Sequence, residues 1–154
     1  MKEQIALLII GAFIGAAVSQ FFYWWRKRTR TKNNFGAISA EVDLAKEFAD
    51  QLSTDLVMAP SYRLPTLAYE STFPSILAAG GVSTDEARTL MKFYSLVESI
   101  NRGLDLAAGI PHTADSIKAE DHPVLSAYHS RNCAKADKII PLHYEVRKIL
   151  DAKL

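Results

Sequence analysis

His129 and Cys133 are the two side chains of this sequence that are best placed to perform chemistry together. They are four residues apart, so on a helix they would lie on one face. Imidazole and thiolate are zinc ligands, and Glu120, Asp121 and His122 could supply more. A structural zinc site usually takes its four ligands from two closely spaced pairs, and no second Cys–His pair is present. The sequence therefore predicts no metal and no cofactor, with Cys133 as a small buried hydrophobe.

A catalytic role for this pair would make Cys133 a nucleophile and His129 its base. No motif supplies a third group to orient the base or the amides of an oxyanion hole. The sequence also lacks a Walker loop, a dinucleotide-binding fingerprint, G-x-S-x-G and H-E-x-x-H. We therefore predict a protein that is not an enzyme, with a membrane-bound hydrolase or nuclease as a distant alternative.

Charge is divided unevenly along the 154 residues, although the whole chain carries only +1. Residues 1–32 hold six basic residues against one acid, whereas residues 33–154 hold twelve against sixteen. This distribution argues against a basic nucleic-acid binder, and a hydrophobic content of 49% argues against a disordered chain. A single cysteine excludes an intrachain disulfide framework. The composition favours a basic N-terminal segment followed by one mildly acidic domain, and predicts no nucleic-acid partner.

The segment from Gln4 to Trp25 predicts a transmembrane helix. It contains no charged residue in 22 positions, and as a helix it would be roughly 33 Å long, close to the ~30 Å hydrocarbon core. Aromatic residues end the segment, and a cationic stretch follows at once. The residues expected at the membrane interface are Trp24, Trp25, Arg26, Lys27, Arg28, Arg30 and Lys32. The predicted partner of this segment is the lipid bilayer.

A cleaved signal peptide is the alternative interpretation of the same segment, because Ala17, Val18 and Ser19 could form a cleavage site. The apolar run continues past that site into the cations, which favours a retained anchor. The cations predict a single-pass protein of the inner (cytoplasmic) membrane, with its N-terminus outside and its C-terminal domain in the cytoplasm. They could set topology alone or also attract anionic lipid.

Gly11, Gly15 and Ser19 lie four residues apart and would share one face of this helix. Small residues allow a second helix to approach closely. The sequence therefore predicts a helix-packing face that contacts another transmembrane helix, either of a second copy or of another subunit. The alternative is that glycine is simply common in membrane helices.

The rest of the chain predicts an all-α fold in which a small cytoplasmic helical bundle follows the anchor. We expect an anchor over residues 1–25, a basic linker over 26–34 and a helical domain over 35–154. Asn33–Gly36 is expected to be a joint or helix interruption. Apolar residues then recur at helical spacing in the stripe Ile38, Val42, Ala45, Ala49, Leu52 and Leu56. This stripe favours packing into the protein's own core over a coiled-coil seam.

Local signals mark the remaining helices. Pro65 can start a short helix, which Pro74 should interrupt before the turn at Gly80–Gly81. Ser83 and Glu86 fit a capping box. It should begin the central core helix, whose stripe is Ala87, Leu90, Met91, Tyr94, Val97, Ile100 and Leu104.

The last third of the chain predicts a loop over residues 110–121 and then a final helix. Asp121 could cap this helix, and Pro141 should kink it or divide it in two. Tyr69, Tyr94 and Asn101 are interpreted as structural, with Asn101 expected to link the central helix to the loop before Pro65.

Three stretches carry a resemblance: Ile38–Val42, Leu64–Tyr69 and Phe93–Asn101. Together they resemble a group of uncharacterised bacterial proteins that have one membrane helix and a small helical cytoplasmic domain. The resemblance covers residues 38–104 and implies that architecture and a bacterial source. It carries no catalytic residue to this chain.

Two functions are therefore expected from the sequence. The first is a membrane-anchored helical interaction module that serves as an accessory or structural subunit of a membrane complex. The alternative is a membrane-tethered regulatory or stress-response sensor, whose small-molecule ligand the sequence does not identify.

Overall fold

The computed structural model describes residues 2–54, 61–110 and 123–154, with the side chains of the first helix described from Gly11 onward. These residues form four helices and no strand. The helices are α1 (Lys2–Thr54), α2 (Leu67–Ala78), α3 (Thr84–Ala108) and α4 (Pro123–Asp151). The all-α class and the helical bundle predicted from the sequence are confirmed.

The chain divides into two compact units, Met1–Asn33 and Asn34–Leu154, and helix α1 contributes residues to both. Its backbone stays helical through Asn33–Gly36, so a helix interruption at this point is wrong, whereas the alternative prediction of a joint coincides with the boundary between the two units. Two features favour continuity. Phe35 is buried in the core of the second unit, and a Cβ added at Gly36 would meet only the Leu154 side chain, at 3.9 Å. The glycine here therefore neither turns the chain nor ends the helix.

The predicted membrane span is not supported. Among the described residues, no helix combines the length and the low polarity that crossing a bilayer requires. The prediction of a single-pass inner-membrane protein with an external N-terminus is therefore wrong.

The apolar stripe in the second half of α1 packs into the protein's own core. Its described members Ile38, Val42, Ala45, Ala49 and Leu52 are all buried in one hydrophobic cluster. The same cluster contains the stripe of α3 and buried residues of α4. The predicted intramolecular role is confirmed, and the coiled-coil alternative is excluded for these residues. Leu56 lies outside the described residues.

Helix α2 begins after Thr66, as the proline-started turn predicts, but it continues through Pro74 to Ala78. The predicted interruption is wrong. Pro74 has no amide hydrogen to donate to the carbonyl of Glu70, so one helical hydrogen bond is lost. Both residues are exposed, so a water molecule can donate to that carbonyl instead. The helix ends at a tight turn in which Gly80 has a φ of 66°, a left-handed conformation that glycine tolerates best.

The capping box at the start of α3 is confirmed. The Ser83 amide donates to the Glu86 carboxylate at 2.6 Å, and the Glu86 amide donates to the Ser83 hydroxyl at 3.3 Å. The first of these bonds is the main reason why the pKa of Glu86 is lowered. The predicted α3 stripe is buried at every position except Met91, which is exposed, and the helix ends before Gly109 as expected.

Helix α4 runs as one element through Pro141, so its predicted division in two is wrong. As at Pro74, the ring lies at an exposed position, and the carbonyl that loses its partner belongs to exposed Asp137. The proposed cap at Asp121 and nearly all of the loop expected over residues 110–121 lie outside the described residues.

Candidate interaction surface and buried polar sites

The most unusual surface of the described chain is an apolar segment of α1 that extends from Phe13 to Trp25. Its large side chains are 49–73% exposed. They are Phe13, Ile14, Val18, Phe21, Phe22, Tyr23, Trp24 and Trp25. Aromatic rings within the segment contact one another edge to face, with the Phe21 and Trp25 centroids 5.8 Å apart. Soluble monomers rarely expose so many large apolar side chains together.

The predicted helix-packing face lies within the same part of α1. Gly11, Gly15 and Ser19 are exposed, and an added Cβ at either glycine would meet no atom within 4 Å. Successive helical positions advance by about 100°, so these three residues lie largely on the side opposite Phe13 and Trp24. The face is open to a second helix, and its role in packing stays a prediction.

The cationic stretch follows on the same helix. Arg26, Lys27, Arg28, Arg30 and Lys32 are all exposed. The Arg28 guanidinium lies 5.4 Å from the centroid of the Trp24 ring, within the range of a cation–π contact. The membrane-interface role predicted for these cations and for Trp24 and Trp25 depends on a spanning helix that the fold does not support.

A buried carboxylate joins three helices of the second unit. Glu41 on α1 is 7% exposed, and its carboxylate accepts hydrogen bonds from the Ala68 and Tyr69 amides at 2.5 and 3.0 Å. It also accepts one from the Tyr94 hydroxyl at 2.8 Å. The amides belong to the first turn of α2, whose own N-cap residue, Thr66, makes no side-chain cap. Glu41 therefore caps α2 from a different helix.

Tyr69 and Tyr94 both donate hydrogen bonds to Glu41, which gives them the structural roles that the sequence predicted. Their rings stack with centroids 3.8 Å apart. Burial raises the pKa of Tyr94 far above its ordinary value, and the Glu41 charge raises it further. Burial and the Glu98 charge also raise the pKa of Tyr69. Tyr94 therefore remains a hydrogen-bond donor to Glu41, and the cluster stabilises the fold without offering a reactive group.

The predicted role of Asn101 is confirmed. Its side-chain amide donates to the Leu64 carbonyl and accepts from the Leu64 amide, each at 2.8 Å. The paired bonds hold the segment before Pro65 against α3. Nearby, the Arg63 guanidinium contacts the Asp105 carboxylate at 2.7 Å, which joins the same two elements.

A polar network that the sequence did not predict connects α1 with α4. The Asp43 carboxylate lies 2.8 Å from His143 Nε2 and 3.1 Å from an Arg147 nitrogen. Arg147 also donates to the Ser39 hydroxyl and pairs with Asp151 at 2.9 Å. The pairing of Asp43 with His143 spans 100 residues of sequence, so no local pattern indicates it.

The His129–Cys133 pair does form on α4, with Sγ 3.5 Å from His129 Nε2. The Cys133 thiol donates to the Leu52 carbonyl at 3.3 Å. Burial raises the pKa of Cys133, and Asp137 raises it further. The raised pKa favours the thiol over the thiolate, which is the nucleophilic form. Among the described residues, no group of three or more His, Cys, Asp or Glu side chains could hold a metal.

Gly103 of α3 lies against Asn132 of α4. A Cβ added there would lie 2.0 Å from Asn132 Oδ1. Asn132 is 1% exposed, and within the described part of the chain its amide oxygen and nitrogen have no hydrogen-bond partner. Gly103 is therefore required because Asn132 occupies the space of its missing side chain.

The chain matches no family model, and no curated protein or solved structure shows significant similarity to it. The resemblance of residues 38–104 to bacterial single-pass proteins stays a prediction. Function has to be argued from the surfaces described above.

Proposed function

We propose that this protein is a helical interaction module without catalytic activity, which uses the apolar segment of α1 to join a larger protein complex as an accessory or structural subunit. The observation that supports the proposal is the continuous exposure of the large apolar side chains from Phe13 to Trp25. Each square ångström of such surface removed from water contributes about 25 cal/mol. Covering the segment would therefore stabilise a complex strongly.

The expected partner is an apolar helix of another protein. The segment is itself helical, and its Gly11–Gly15–Ser19 face permits close backbone approach, which is the geometry that helix pairs use. Two copies of this chain aligned in parallel would bring their cationic stretches together, and juxtaposed like charges are unfavourable. A different protein, acidic opposite Arg26–Lys32, avoids that repulsion.

The second unit supplies a rigid body for such a module. Its core joins α1, α3 and α4 in one cluster, and the Glu41 carboxylate and the Asn101 amide hold α2 and the segment before it in place. Glu41 accepts a hydrogen bond from the Tyr94 hydroxyl, and the Cys133 thiol donates to the Leu52 carbonyl. These features support a binding or scaffolding role over catalysis.

Photocrosslinking in cells tests the proposal. A benzophenone amino acid is placed at Phe21 in the apolar segment and, as the matched control, at Leu67, which is highly exposed on α2. We expect the Phe21 probe to give one defined crosslinked protein, distinct from a second copy of this chain, and the Leu67 probe to give none. Crosslinks only between copies, or only to lipid, would contradict the proposal.

A pair of variants tests the contact face. Gly15→Ile blocks close approach, and a Cβ added at Gly15 meets no described atom within 4 Å, so we expect its effect to come from a partner. Ala134→Ile makes a comparable enlargement at an exposed position of α4, outside the apolar segment. We expect Gly15→Ile to reduce the Phe21 crosslink severalfold and Ala134→Ile to preserve it. Equal crosslinking by the two variants would remove Gly15 from the contact.

A further inference from the structure

A groove on the surface of the second unit lies between α3 and α4. It is shallow and open to solvent, with a volume of about 500 Å³. Its lining residues are Arg88, Met91, Lys92, Ser95 and Leu96 of α3 and Leu142 of α4. The α3 residues come from three successive turns, at positions 88, 91–92 and 95–96. The groove is separate from the apolar segment of α1 and from the Glu41 cluster.

The floor of the groove is apolar. Leu96 and Leu142 are partly buried and pack against the main core, whereas Met91 is 46% exposed. Met91 is also the one exposed member of the α3 stripe, so an apolar side chain lies uncovered at this site. Residues 88 to 96 span roughly 12 Å of helix, about the length of two helical turns. A helix with apolar residues at positions i, i+3 and i+7 matches that length.

The rim of the groove is cationic. Lys92 forms no ion pair with any described residue, and Arg88 pairs only with exposed Asp85, at 2.8 Å within the same helix. An exposed pair of this kind contributes little and exchanges readily with another carboxylate. Arg88 and Lys92 lie one turn apart and place two positive charges at this rim, within a unit that holds sixteen acids against twelve basic residues.

We propose that this groove binds an acidic amphipathic helix of a protein partner. The apolar side of that helix would cover Met91, Leu96 and Leu142, and its carboxylates would contact Arg88 and Lys92. An acidic partner is expected because its carboxylates complement the two cations, and two helical turns are expected because they match the length of the groove. This second docking surface is independent of the proposed contact through the apolar segment of α1.

The test uses the full chain and a synthetic helical peptide with leucines at i, i+3 and i+7 flanked by glutamates. Binding is followed by NMR of ¹³C-labelled methionine methyl groups. The chain has three methionines, and a Met91→Leu variant assigns the signal of interest. We expect the peptide to shift the Met91 signal saturably, and a peptide with lysines in place of glutamates to leave it unchanged.

Charge-reversal variants provide the control. Arg88→Glu combined with Lys92→Glu should weaken peptide binding about tenfold, since each exposed ion pair contributes up to ~1 kcal/mol. Arg102→Glu, at an exposed position further along α3, should leave binding unchanged. Binding that survives the double reversal, peptide binding without a Met91 shift, or a Met91 shift produced by a fatty acid but not by the peptide would each overturn the proposal. Absence of any peptide binding would overturn it as well.

Discussion

The two parts of α1 use the same helical backbone for opposite purposes. From Phe13 to Trp25 the large apolar side chains are exposed, whereas Phe35 and the stripe from Ile38 to Leu52 are buried. The first part is richer in large apolar residues, yet the second part forms the core. In the second part, smaller apolar residues recur every three or four positions, with polar residues between them. Burial within this chain therefore follows the placement of apolar residues more than their number.

The two parts of α1 also place different requirements on their residues. A residue in the second part must fit neighbours on α3 and α4, so its size and polarity are constrained by this chain. A residue in the apolar segment meets no such constraint from the described contacts, and in our proposal the partner supplies one. Matched substitutions in the two parts can measure this difference directly.

The largest expected difference is between two valine-to-aspartate substitutions on α1. Val42 is 0% exposed and Val18 is 49% exposed. Val42→Asp places an unpaired charge in the core and should lower the free energy of unfolding by at least about 3 kcal/mol. Val18→Asp should change it by less than ~0.5 kcal/mol. Urea unfolding monitored by circular dichroism gives both values, and comparable losses would end the distinction between the two parts.

Glycine substitutions sharpen the comparison further. Gly103→Ala forces Asn132 out of the space it occupies and should destabilise the protein by about 1–3 kcal/mol. Gly15→Ala meets no atom within 4 Å and replaces a poor helix former, so the free energy of unfolding should stay equal or rise slightly.

A compensating change identifies the cause of the Gly103 effect. Combining Gly103→Ala with Asn132→Ala removes the colliding amide, and the double variant should recover part of the loss in thermal unfolding. Destabilisation that is strictly additive would show that the close approach of Gly103 and Asn132 is not its source.

The smallest expected effect is a pH dependence that belongs to the buried part alone. Because the pKa of Tyr94 is raised in the folded state, the unfolded chain loses this proton first as the pH passes its ordinary value near 10.0. Stability is fully present below that value and is lost as the pH rises, by at most about 1.4 kcal/mol per pH unit for one group. Tyr94→Phe should reduce the slope between pH 10 and 12, measured by urea unfolding. Tyr23→Phe, in the exposed part, should keep the wild-type slope.

Local sequence signals predicted much of the fold. The Ser83–Glu86 capping box, the stripes of α1 and α3 and the bonds of Asn101 to Leu64 are all confirmed. Each depends on spacing within one helix or on a side chain with few alternatives. The interruptions expected at Asn33–Gly36 and Pro74 are wrong, since one lost bond or one glycine does not outweigh the contacts of neighbouring turns.

The polar sites were harder to predict because their partners are distant in sequence. Glu41 caps α2 from 27 residues away, and Asp43 meets His143 from the other end of the chain. Thr66 is of a residue type that often caps a helix, so nothing in the sequence indicated that α2 would take its cap from Glu41. The apolar segment was predicted from sequence to be a transmembrane helix; it is helical, but the membrane span is not supported.

Tryptophan fluorescence tests the central claim most directly, because both tryptophans of the chain, Trp24 and Trp25, lie in the apolar segment. The emission maximum and acrylamide quenching are compared between the protein purified with its crosslinked partner and the protein alone. The account predicts a blue shift and reduced quenching in the complex, and a return to solvent-like emission with Gly15→Ile. Solvent-like emission in the intact complex would contradict it, and so would a blue shift produced by protein-free phospholipid vesicles but not by the partner.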